Sequence, residues 1–309
     1  MTRPKVALVG SGGAAKGIAH LGTLRALEEL GIRPDIFVGT SAGALVAALY
    51  GQGVPLDVLI DSYRLPWERR YPDRKLVGLT FAGLPNREQL SHLGYLTSGV
   101  FSIDPLERYL RRVLPNNDFR KTERPILVTA ADVDGRGRVV FGRGHVEDIP
   151  ISQAVAASCC VPLLFRPYRI GDRYLVDGEV VRTLSVDLAI EHGAEIVVIA
   201  NVYRPHVTKA HERSFAMRGL DKMAVQTLNI VLSEKEKRGI ELYHRLYPHV
   251  TFVDVSPDVG RYSFLNRFVA RELISRGYRE ALRQIASVKA RGLLDGIPPP
   301  SVGGPVGVA

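Results

Sequence analysis

The chain has 309 residues, of which 46% are hydrophobic and 24% charged, a balance that excludes extensive disorder and suits one large core. Its formal net charge of +9 attracts polyanions in general, so charge alone does not separate nucleic acid, anionic headgroups and acidic metabolites. No apolar run approaches the roughly 20 residues that cross a bilayer, so membrane contact is expected to be peripheral and the location cytoplasmic.

In chain order, "KVALVG" is an apolar run that ends in glycine and reads as a strand, not a leader, because glycines and Lys16 break it. "IAHLGTLRALEELG" follows, with Ile18, Leu21, Leu24, Leu27 and Leu30 at helical spacing and Gly31 closing the helix. "DIFVG" repeats the strand signal and "AGALVAALYGQG" the helix signal, so a parallel sheet is expected from β-α-β-α order. From 65 to 115 the pattern loosens into an insertion covering one end of the sheet, with a helix in "PLERYLRRVLP". Regularity returns with strands in "RPILVTAADV" and "GRVVFG", a helix in "ISQAVAASCC", a hairpin in "YRIGDRYLVDGE" and a buried strand in "AEIVVIANV". Helical tracts over 209–246 and 264–291 flank the strand "VTFVDV". The expected organisation is a single domain over 1–292 and a disordered Pro/Gly-rich tail over 293–309. The adjacent Cys159 and Cys160 argue against a structural disulfide framework and are expected to pack in the core.

Two glycine loops carry candidate chemistry. Gly10-x-Gly12-x-x-Ala15, between a strand and a helix, satisfies one form of the dinucleotide-binding pattern. That reading needs an acidic residue near the end of the second strand, whereas Asp35 precedes it and "FVGTSAG" ends it. Gly39-x-Ser41-x-Gly43 has the form of a nucleophile elbow, in which small residues permit a tight strand-to-helix turn. The competing reading is a helix cap supplied by Thr40 or Ser41, and those five residues alone leave the two level.

A serine nucleophile requires oxyanion donors and a proton acceptor. Successive amides of Gly12, Gly13 and Ala14 are candidates for the first role. Of the histidines, His20, His145, His192, His206 and His244 occupy no compelling loop after a strand, and too few strands precede residue 41 for an α/β-hydrolase order. Asp177 in "YLVDGEVV" stands at a strand end, although an Asp-Gly pair by itself is more often a hairpin turn.

These three pieces, in this order, resemble the patatin-like phospholipase family. "GIAHLGTLRALEELGI", "VGTSAGAL", "AVAASCCVPLLF", "LVDGEVV" and "GAEIVVIANV" extend the resemblance over roughly residues 4–290. It implies an α/β fold of three layers, α/β/α, around a mostly parallel sheet, and a Ser-Asp dyad acting on lipid or other acyl esters, as phospholipase A or lysophospholipase. Carried onto this chain, Ser41 is the nucleophile, Asp177 the proton acceptor, and Gly12, Gly13 and Ala14 the oxyanion loop. Gly39 and Gly43 form the elbow, while Lys16, Gly17 and Gly178 stand at supporting positions. No metal or organic cofactor is implied.

A transacylase using the same acyl-enzyme, and a regulatory or scaffold protein with weak or no turnover, are the rival outcomes. The chain departs from the family pattern in having Ala14 for a third glycine, and Glu179, Arg182, Thr183 and Ser185 after Asp177. Glu179 is expected either to raise the pKa of the base or to point to solvent. "LPWERRYPDRKLVGLTF" joins Trp67, Tyr71 and Phe81 to several cations, as a lid or patch on anionic lipid or as an ordinary covered loop. Nucleic-acid binding is not expected, because no zinc-ligand spacing or aromatic RNA-binding motif accompanies the basic excess.

Overall fold

The computed structural model describes residues 3–63, 70, 82–182, 184–260, 262 and 269–290. Strand β1 (Val6–Gly10) leads through a 3-10 turn (Ala14–Ile18) into α1 (Ala19–Glu29), and β2 (Ile36–Gly39) leads directly into α2 (Ala42–Tyr50), with α3 (Leu56–Asp61) after it. The insertion holds α4 (Arg87–Ser91), α5 (Leu93–Thr97), β3 (Gly99–Phe101) and α6 (Asp104–Val113). Then come β4 (Ile126–Asp132), β5 (Gly137–Phe141), α7 (Ile151–Ser158), β6 (Leu163–Phe165), β7 (Tyr168–Ile170) and β8 (Arg173–Asp177). Helix α8 (Val186–Glu191), β9 (Ile196–Ala200), α9 (Leu220–Leu246), β10 (Thr251–Val255) and α10 (Ala270–Ala290) follow.

The main sheet runs β10-β9-β1-β2-β4-β8-β7, with β5 also paired to β4. The pairings from β10 to β4 are parallel, and β5, β8 and β7 extend the sheet antiparallel. Alternation along the central strands creates the layers, because successive side chains leave opposite faces. Val6, Leu8, Val198 and Val253 pack with α1, α2 and α10 on one face. Ala7, Val9, Val197 and Phe252 meet Leu188 of α8 and Tyr243 of α9 on the other.

Helix α1 stops where its sequence places a left-handed residue: Gly31 has φ 71°, and the Ile32 amide closes back on the Leu27 carbonyl at 2.8 Å. Helices α1 and α10 cross at glycine on both sides. A Cβ on Gly22 would overlap the Ile274 carbonyl, and one on Gly277 would overlap the Ala19 carbonyl.

The insertion is more regular than its sequence suggests. Its strand β3 pairs with β6, and the buried Arg166 donates from Nε to the Leu96 carbonyl at 2.8 Å and from Nη1 to the Val100 carbonyl at 3.0 Å. The helical tract expected from residue 209 begins instead at Leu220. Gly219 has φ 92°, which a continuing helix does not allow, and Ser214 caps a separate 3-10 turn at Phe215–Met217. The Pro/Gly-rich tail and the stretch 65–81, apart from Arg70, lie outside the described residues.

Candidate active site

The sheet register brings three loops to one place. Gly10 at the end of β1 pairs with Gly39 at the end of β2 and with Ala200 at the end of β9, while Ala130 of β4 pairs with Asp177. Carboxyl ends of neighbouring parallel strands are where crevices form in open α/β sheets.

Ser41 sits between β2 and α2 with φ 53° and ψ −117°, a conformation that non-glycine residues rarely adopt. Surrounding bonds hold it there. Its amide donates to Ser158 Oγ at 2.7 Å, and that hydroxyl donates to the Thr129 carbonyl at 2.7 Å. Thr40 and Thr129 share a hydroxyl hydrogen bond of 2.7 Å. The helix-cap reading fails, because the Ser41 side chain makes no capping bond and Thr40 is committed to Thr129. The flanking glycines permit close backbone approach: a Cβ on Gly39 would overlap the Gly43 backbone, and one on Gly43 would overlap the Gly10 carbonyl.

Asp177 ends β8 and is buried, with its amide on the Cys160 carbonyl at 2.9 Å. Burial pushes its pKa up to about 6, against the opposing pull of the Glu179 amide and the Ser41 hydroxyl. The hairpin-turn reading of Asp-Gly does not hold. The chain enters a 3-10 turn at Gly178–Val180 instead, and Gly178 is required because a Cβ there would crowd the Thr129 carbonyl. Cys159, expected in the core, is only half-buried and interacts with the Ser41 hydroxyl; burial and then Asp177 raise its thiol pKa.

In the first glycine loop, Gly13 has φ 122° and Ala14 φ 47°, so Ala14 takes the left-handed conformation despite its Cβ. The amides of Gly13 and Ala14 have no backbone acceptor among the described residues. Gly12 differs, because its amide donates to Glu179 Oε1 at 2.6 Å. Glu179 is therefore buried against the loop, not directed to solvent, and it is Glu179 whose carboxyl is raised by burial and then by Asp177, to about 8. Lys16 is buried, reaches toward the Gly260 carbonyl at 3.5 Å and is lowered to about 8 by burial. A Cβ on Gly17 would overlap that of Ala42, so loop and elbow pack directly.

The other early candidates point elsewhere. His20 donates from Nε2 to the Ser11 carbonyl at 2.9 Å, and burial lowers its pKa to about 4, so it is a neutral structural group. Asp35 accepts the Val6 amide at 3.0 Å and pairs with Arg3 at the amino ends of β1 and β2, where it cannot hold a ribose at the carboxyl ends of the strands. Sequence reasoning missed Thr129, Ser158 and Tyr203. Tyr203 follows β9, and its hydroxyl would meet any Cβ placed on Gly12. Its position just beyond a strand at the site edge was the available signal.

The family model described as patatin-like phospholipase matches residues 8–190. Human patatin-like phospholipase domain-containing protein 6 is 25% identical over 202 residues, which are 65% of this chain and 14% of that protein. An uncharacterized NTE family protein of Mycobacterium tuberculosis is 28% identical over 181 residues, 59% of this chain and 27% of its own length. The chain thus spans well under half the length of these relatives. Among solved structures, human GIVD cytosolic phospholipase A2 aligns over 95% of this chain and 60% of its own at 12% identity, with a TM-score of 0.49.

Proposed function

Because the chain belongs to the patatin-like phospholipase family, we propose that it is a serine acyl hydrolase acting on lipid esters through Ser41 and Asp177. The observation that carries this reading is the strained Ser41, whose hydroxyl is not spent on a helix cap and is near enough to the buried Asp177 carboxyl to oppose the rise of its pKa. Strain of this kind persists only where surrounding structure imposes it.

In the proposed reaction, Ser41 Oγ attacks the ester carbonyl carbon, its proton passes to Asp177, and the carbonyl electron pair moves onto oxygen. The Gly13 and Ala14 amides donate to that oxyanion. Collapse breaks the bond to the alcohol, which leaves with the proton held by Asp177. Water then attacks the acyl-enzyme in the same sense, releasing the acid and restoring the Ser41 hydroxyl. With its pKa near 6, Asp177 is ionised at neutral pH and is a better base than an ordinary aspartate.

Val180 and Val181 are exposed just beyond Asp177, an apolar rim suited to an acyl chain. Among the described residues no helix is long and apolar enough to cross a membrane.

The test is a panel of soluble acyl esters and phospholipids assayed with wild type, Ser41→Ala and Asp177→Asn, alongside fluorophosphonate labelling. Both variants are expected to lose roughly 10³-fold or more in kcat, and Ser41→Ala to lose labelling. Full activity in both would overturn the reading. Products formed with added alcohol distinguish hydrolysis from acyl transfer.

A further inference from the structure

Glu179 has no part in the dyad, yet it is buried, 3% exposed, between the two halves of the site. It reaches from the turn after β8 to the loop after β1, where Oε1 accepts the Gly12 amide at 2.6 Å across 167 residues of chain. Its own amide is held by Asp177 Oδ1 at 3.1 Å, so one short turn fastens both the base and the loop. A Cβ on Gly12 would approach Glu179 Cγ at 3.0 Å and Ser41 Cβ at 3.1 Å, which places the contact beside the nucleophile.

The bond divides the loop. It commits the Gly12 amide and leaves those of Gly13 and Ala14, the two residues in left-handed conformations, without backbone acceptors among the described residues. We propose that Glu179 is a positioning residue for acyl transfer: by latching the Gly12 peptide to the Asp177 turn, it presents the Gly13 and Ala14 amides to the oxyanion. This inference rests on the acyl-hydrolase reading above.

The groups that face Glu179 determine its charge. Asp177 adjoins it, the Tyr203 ring follows β9, and Lys235 and Glu236 approach from α9. Lys235 Nζ donates to the Glu179 and Val180 carbonyls at 3.4 and 3.2 Å, holding the turn by its backbone. Burial and Asp177 outweigh Lys235, so the carboxyl stays protonated until about pH 8. A neutral carboxyl accepts the Gly12 amide without opposing the negative charge that forms nearby, whereas an ionised one opposes it. The latch is therefore permissive at neutral pH and adverse above pH 8.

The test uses Glu179→Gln, which keeps the acceptor and cannot ionise, and Glu179→Ala, which removes both. Its first readout is independent of turnover: the Gly12 amide resonance in ¹⁵N-glycine-labelled protein should titrate near pH 8 in wild type, stay constant in Glu179→Gln and move upfield in Glu179→Ala. On a short soluble ester, Glu179→Ala should lose about 10- to 100-fold in kcat with little change in KM, a fraction of the effect of removing an oxyanion donor. Glu179→Gln should keep kcat at pH 7 within about threefold and lose the alkaline limb of the pH profile. Lys16 also titrates near pH 8, so a limb that persists in Glu179→Gln would assign it elsewhere and overturn the inference.

A Gly12 resonance indifferent to residue 179 would also overturn it, as would wild-type kcat in Glu179→Ala. A faster Glu179→Ala would mean that the carboxyl obstructs the site. Failure of the underlying reading looks different: wild type would neither label at Ser41 nor hydrolyse any ester, whatever the Gly12 resonance did.

Discussion

Ser158 Oγ accepts the backbone amide of Ser41 at 2.7 Å, so the peptide of the proposed nucleophile is held by a helix 117 residues further along the chain. The same hydroxyl donates to the Thr129 carbonyl, tying the elbow to β4 through one buried side chain. Ser158→Ala leaves two buried backbone groups without this partner. The expected loss is about 1–3 kcal/mol in denaturant unfolding, with slower fluorophosphonate labelling of Ser41 in the folded variant.

Two glycines should respond in opposite directions. Gly43→Ala forces a Cβ into the Gly10 carbonyl and is expected to destabilise by about 3 kcal/mol or more. Gly94, in α5, has nothing near its missing Cβ, and Gly94→Ala should stabilise by about 0.5–1 kcal/mol. Parallel urea titrations compare them.

The order of strands and helices was legible because apolar runs end in glycine and the helices keep a 3.6 period. Ser41 and Asp177 were legible as strand-end residues with small neighbours. What could not be read was the latch: Glu179 and Gly12 are 167 positions apart, and nothing local in "DGEVV" distinguishes a buried carboxyl from an exposed one. The helix expected from residue 209 failed for a related reason. The residues around Gly219 are compatible with a helix, and only the backbone reversal at φ 92° separates the turn from α9.

Stability should fall as pH rises. Glu236 is buried on α9, and burial, Asp254 and Glu179 raise its pKa from 4.5 to about 9, against the nearby Asn201 side chain and the charge of Arg204. The folded chain thus keeps a proton that the unfolded chain loses near 4.5, and stability present below that pH drains away as pH climbs toward 9. Glu236→Gln removes this proton. Its Tm should match that of wild type near pH 4.5 and exceed it by roughly 5 °C at pH 8.5, a difference that calorimetry at the two pH values measures.

The acid limb of activity should belong to Asp177, near pH 6, and not to histidine. His20 is lowered from 6.5 to about 4, so it remains neutral through the working range; its contribution to stability is present above 6.5 and is lost as pH falls toward 4. The His20 ring protons should show no titration between pH 5 and 8 by NMR. A titration near 6.5 would reassign the limb.

The glycine crossing of α1 and α10 carries a last implication. Helix α1 continues directly from the turn that bears Ala14 and Lys16, and α10 lies against it so closely that neither backbone admits a methyl group at Gly22 or Gly277. Proteolytic trimming within 270–290 would therefore strip a brace from the opposite end of the polypeptide. The loop and turn before residue 45, which hold the proposed nucleophile and oxyanion amides, would lose their support through a cut more than two hundred positions downstream, with Ser41 and Asp177 both still present.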